Sequence, residues 1–60
     1  MQTFRAYLLN DKGSIVWAEW LDAGSEEEAA VKAHQLCREG TPMVELWQGD
    51  RPVAEIPCAG

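Results

Sequence analysis

Two strand-like segments, one helical segment and two further strand-like segments follow one another along the chain. Thr3 to Asn10 (TFRAYLLN) and Ile15 to Leu21 (IVWAEWL) are rich in aromatic and branched residues. Between them Asn10-Asp11-Lys12-Gly13-Ser14 is a polar turn cluster in which Gly13 can supply a positive φ. With Asp11, Lys12 and Gly13 as the loop, Asn10 faces Ser14, and the expected pairs are Leu9 with Ile15, Leu8 with Val16, Tyr7 with Trp17, Ala6 with Ala18, Arg5 with Glu19 and Phe4 with Trp20. That register sets an aromatic pair and an opposite-charge pair directly across the hairpin. A slip of one residue would exchange the faces.

Asp22-Ala23-Gly24 breaks the pattern, and Ser25-Glu26-Glu27-Glu28 has the form of a helix start, with Ser25 as cap and Glu28 completing a capping box. Three glutamates in the first turn also suit the helix dipole. The helix is expected to run to Gly40 as its C′ residue, with Ala29, Ala33, Leu36 and Cys37 on the core stripe and Ala30 at its margin. Met43 to Gln48 (MVELWQ) and Pro52 to Ile56 (PVAEI) read as the last two strands. An odd loop at Gly49-Asp50-Arg51 pairs Val44 with Ile56, Leu46 with Ala54 and Trp47 with Val53, whereas a two-residue turn would set Glu55 against Val44. Pro52 and Pro57 mark the final strand as a sheet edge.

The order ββαββ predicts an α+β domain over residues 1–57 followed by a short tail, 58–60. A right-handed crossover docks the third strand beside the first and yields a four-stranded antiparallel sheet in the order 2-1-3-4 with one helix on one face. The helix is expected to cover Phe4, Ala6, Leu8, Val16, Ala18, Trp20, Val44, Leu46, Ala54 and Ile56. On the opposite, open face the candidate interface residues are Tyr7, Leu9, Ile15, Trp17, Leu21, Met43, Trp47 and Val53. An apolar patch of that kind marks an interaction surface.

Composition sharpens this picture. Sixty residues with 47% hydrophobic side chains make one globular domain whose core is small for independent stability. A net charge of −5 argues against nucleic acid and anionic membranes as partners, because phosphate neutralisation needs Lys and Arg. An aromatic open sheet could suggest RNA recognition, but the face that carries Arg5 also carries Glu19, Glu45 and Glu55. Met1 to Arg5 leads into an alternating segment without a signal-peptide pattern, so a cytoplasmic protein is expected.

Chemistry-bearing side chains are sparse. His34 is the single histidine and falls on the helix flank; with Cys37 three residues on, it lacks the further ligands of a zinc site. Cys37 is expected to point inward as a small hydrophobe, and Cys58 to be an exposed tail thiol, although a Cys37–Cys58 disulfide stays open. Glu26-Glu27-Glu28 is explained by the helix start, and the glycines sit at turns and caps without phosphate-loop spacing. No serine or threonine has a nucleophile's surroundings. No catalytic residue, cofactor or metal is therefore expected.

The elements as placed resemble a group of uncharacterised small bacterial proteins with an aromatic first strand, a D-x-x-G-x-I hairpin, an S-x-E-E-A helix start and a terminal V-E-L-W-x-G-x-R-x-V-A segment. Phe4, Tyr7, Asp11, Gly13, Ile15, Ser25, Glu27, Glu28, Ala29, Val44, Glu45, Leu46, Trp47, Gly49, Arg51, Val53 and Ala54 carry the likeness, with one residue fewer between Asp11 and Gly13 than in the group's hairpin. The first hairpin and helix also resemble antitoxin domains of the HicB type, up to Gly40 and without an appended DNA-binding element. Neither resemblance brings a catalytic residue or cofactor. The expected function is that of a non-enzymatic interaction domain, a homodimer closed through its open sheet face. The alternative is a small-ligand binder that uses Tyr7, Trp17 and Trp47 as a stacking platform.

Overall fold

A computed structural model describes residues 1–58. Strands β1 (Gln2–Leu9), β2 (Ile15–Ala23), β3 (Met43–Gln48) and β4 (Arg51–Pro57) form one antiparallel sheet in the order β2-β1-β3-β4, and α1 (Glu26–His34) packs on one face. The α+β class and strand order read from the sequence are those of the structure.

The first turn is organised by Asn10, whose Oδ1 accepts from the amides of Lys12 and Ser14 at 2.9 and 3.0 Å. Its own amide donates to the Ser14 carbonyl at 2.9 Å, and Gly13 takes a φ of 80°. Leu9 pairs with Ile15 as expected, but a bulge follows: Leu8 lies opposite Trp17, Tyr7 opposite Ala18, Ala6 opposite Glu19, Arg5 opposite Trp20 and Phe4 opposite Leu21. Val16 is the extra residue. Beyond it every side chain of β2 sits on the face opposite to the expected one. Packing beneath the helix accounts for this. Ala29 and Ala33 are fully buried in one cluster with Phe4, Ala6 and Leu8, so α1 lies close to the sheet. The bulge instead places Leu21 and the fully buried Ala23 on that side, together with Phe4, Ala6 and Leu8.

The second hairpin also contains a correction. Its turn is the two-residue Gly49-Asp50, with Gly49 at φ 64° and Gln48 opposite Arg51, and Trp47 faces Pro52. A bulge at Val53 then restores the expected pairs Leu46 with Ala54 and Val44 with Ile56. Glu55 accordingly faces Glu45 rather than Val44.

Ser25 caps α1, its Oγ accepting from the Glu28 amide at 3.1 Å while Glu28 reaches back to the Gly24 amide at 3.3 Å. The helix stops at His34, short of Gly40, with Gln35 as its C-cap. Amides of Leu36 and Cys37 bond three residues back, tightening the exit. Thr41, the one buried polar residue among the described residues, then closes a turn: its Oγ1 accepts from the Arg38 amide at 3.1 Å and donates to the Arg38 carbonyl at 2.7 Å. Gly40, at φ 88°, serves that turn.

Cys37 and Cys58 form a disulfide, with Cα atoms 5.7 Å apart, so neither is the free thiol expected from the sequence. The Cys58 amide also donates to the Pro42 carbonyl at 2.8 Å. The bond ties the end of β4 to the segment after α1. Of the tail assigned to 58–60, Cys58 thus belongs to the domain's packing, and residues 59 and 60 lie outside the described residues.

Candidate interaction surface

Side chains of β1 that point away from α1 include Arg5, Tyr7 and Leu9, and the register adds Trp20 and Ala18 from β2 and Trp47, Glu45 and Met43 from β3. They form a connected row. The Arg5 guanidinium lies 4.3 Å from the Trp20 ring centroid and 5.6 Å from that of Tyr7. Tyr7 meets Trp47 edge-on at 6.3 Å and 87°, and Trp47 Nε1 donates to Glu45 Oε1 at 3.3 Å. Arg5 Nε is buried without a hydrogen-bond partner among the described residues. The Trp20 ring therefore stabilises a cation whose solvation the sheet has partly removed.

Five of the expected interface residues, Tyr7, Leu9, Ile15, Met43 and Trp47, share this face, although Leu9 is buried there. Three do not belong to it. The β2 bulge sends Trp17 and Leu21 to the helix side, where Leu21 packs against the core and Trp17 lies under the Arg38 guanidinium at 5.8 Å. Val53, at the second bulge, is half-buried against the core. The residue missed is Trp20, 67% exposed.

Exposed apolar surface concentrates on β2. Besides Trp20, Ile15, Val16 and Trp17 are each at least half exposed, whereas Tyr7, Met43 and Trp47 are of intermediate exposure. Hollows on the open face are shallow; one of about 240 Å³ is lined by Tyr7, Ile15, Glu45 and Trp47. The opposed Glu45 and Glu55 make the β3–β4 side of the face acidic.

Elsewhere the candidate groups are absorbed by structure. Glu26 pairs with Arg51 at 2.9 Å and Glu28 with Lys32 at 3.5 Å. His34 is exposed beside Val31 and Ile56, and Cys37 is held in its disulfide. Among the described residues no group of three or more His, Cys, Asp and Glu side chains is placed to hold a metal. No described helix is long and apolar enough to cross a membrane. Comparison with protein-family models, curated proteins and solved structures returns no match to this chain.

Proposed function

We propose that this chain is a non-enzymatic protein-interaction domain that self-associates as a homodimer, with its contact surface centred on β2 and the adjoining Arg5–Trp20 row. The observation that carries the reading is the clustering of Ile15, Val16, Trp17 and Trp20, all at least half exposed, on one edge of a four-stranded sheet. Tryptophan is among the side chains most enriched at binding hot spots. A second copy also supplies the apolar burial that so small a core lacks.

Sedimentation or light scattering at high micromolar concentration tests this. The expected mass is twice 6.7 kDa, falling to 6.7 kDa in Trp20→Lys, which leaves the core untouched. A wild-type mass of 6.7 kDa overturns the proposal.

One observation favours a second reading, a planar anionic ligand on the same row: Arg5 Nε is a buried, unpaired donor between two aromatic rings. Such a ligand would quench tryptophan fluorescence in the wild type and not in Arg5→Met. Cytoplasmic residence would keep Cys37 and Cys58 as the dithiol, whereas the disulfide favours an oxidising compartment. Acid-quenched thiol trapping in the native host decides between them.

A further inference from the structure

The two edges of the sheet differ in how they are protected. Strand β4 carries Pro52 and Pro57, which have no N–H to offer a new strand, and it begins at a tight turn. Strand β2 has nine residues, no proline and no lysine or arginine, and presents four large exposed apolar side chains. At the far end of β2, Lys32 Nζ donates to the Asp22 carbonyl at 2.6 Å. The stretch from Val16 to Leu21 therefore has a polar backbone edge flanked by apolar side chains, which is what a strand-adding partner needs.

Charge selects the partner. Arg38 stacks over Trp17 on the helix side and takes part in no ion pair among the described residues, and neither does Glu19 on the same face of β2. We propose that β2 pairs antiparallel with β2 of a second copy, with Ala18 on the two-fold axis, joining two sheets into one of eight strands. The inference rests on the self-association proposed above and specifies its geometry. In this register Trp17 lies opposite the partner's Glu19, which brings that carboxylate under Arg38, and the relation repeats across the axis. Trp20, which is on the open face, lies opposite the partner's Val16. Shifting the axis to Glu19 would set two carboxylates directly against each other, and shifting it to Trp20 would lose the Arg38–Glu19 contact while running the ladder into the carbonyl held by Lys32.

Cross-linking tests the register. Directly opposed residues of an antiparallel pair have Cα atoms about 4.5–5.5 Å apart, within the range a disulfide spans. Ala18→Cys is therefore expected to form a covalent dimer under mild oxidation, mapped by mass spectrometry to position 18, whereas Asp22→Cys is not. Charge reversal gives a readout independent of the new cysteine. Arg38→Glu is expected to weaken the dimer about tenfold, since two attractive contacts become repulsive, and Arg38→Glu with Glu19→Arg is expected to restore it. Circular dichroism confirms that each variant is folded. A monomeric wild type overturns both the register and self-association. A dimeric wild type that does not cross-link at position 18, or in which the double reversal does not restore affinity, overturns the register and leaves self-association standing.

Discussion

The Arg5 guanidinium sits 4.3 Å from the centroid of the Trp20 ring, in a cross-strand pair that exists only because β2 carries an extra residue at Val16. Without the bulge Trp20 would face Phe4 beneath the helix. The pair is thus the marker of the register. A double-mutant cycle with Arg5→Met and Trp20→Leu, read by urea unfolding at low micromolar concentration, is expected to give a coupling of about 0.5–1 kcal/mol. Additive effects would mean that the rings and the guanidinium do not meet in solution.

The Cys37–Cys58 bond closes a loop with a sequence separation of 21 residues. By loop-closure entropy it stabilises the fold by about 3 kcal/mol, a large share of what a domain of this size has. Cys37→Ser with Cys58→Ser should lower the urea midpoint accordingly, and reduction should do the same to the wild type while leaving the double variant unchanged. Titration of oxidised protein in denaturant should find no reactive thiol.

Helix α1 approaches the sheet through Ala29 and Ala33, both without exposed surface. Ala33→Leu forces the helix outward and is expected to cost about 1–3 kcal/mol by overpacking. Val31→Ala, at a position 57% exposed on the same helix, should change stability by less than about 0.5 kcal/mol. Equal effects of the two would mean that the helix does not lie on its alanine stripe.

The turn after the helix depends on Thr41, 5% exposed, whose hydroxyl serves both the amide and the carbonyl of Arg38. Thr41→Val keeps the shape and strands both groups, with an expected loss of about 1–3 kcal/mol in a thermal or urea melt. Thr41→Ser should retain most of that stability.

Much of this fold can be read from local chemistry. Asn10 and Gly13 announce the first turn, Ser25 and Glu28 the helix start, and the alternation of Phe4, Ala6 and Leu8 names the buried face of β1. The candidate surface is less legible, because it depends on two bulges. A bulge leaves no composition signal at Val16 or Val53; it is selected by what must lie under the helix, and that is a tertiary constraint. On β4 the expected pairs Leu46 with Ala54 and Val44 with Ile56 held although the turn is one residue shorter, since the bulge at Val53 compensates. On β2 nothing compensates, so Trp17 and Leu21 exchanged faces with Trp20. The helix end was likewise out of reach: Gly40 looks like a C′ residue, but the turn held by Thr41 and the disulfide at Cys37 claim that segment.

Deleting Val16 separates the two registers most directly. In the structure Leu9 already faces Ile15 and Leu8 already faces Trp17, so removal of the residue between them closes the bulge and leaves every pair from Trp17 to Ala23 in place. The expected result is a folded protein with its disulfide intact, its Arg5–Trp20 coupling retained, and a stability loss within about 1 kcal/mol, as for a half-exposed side chain. In an unbulged hairpin the same deletion would move Trp17 to the position of Val16 and invert every β2 side chain beyond it, carrying Trp20 out of the core and Leu21 into it. Such an inversion would abolish cooperative unfolding or lower the unfolding free energy by several kcal/mol, read as a lower urea midpoint. Deletion of Ala18, which lies beyond the bulge, makes the control. It too closes the bulge, leaving Ile15 opposite Leu9 but setting Val16 opposite Leu8 and carrying Trp17 into the place of Ala18 opposite Tyr7, so Trp17 leaves its stack with Arg38 and the deletion should be the more damaging of the two. If the order of damage is reversed, the bulge at Val16 is absent in solution, and with it the β2 surface on which Trp20 is displayed.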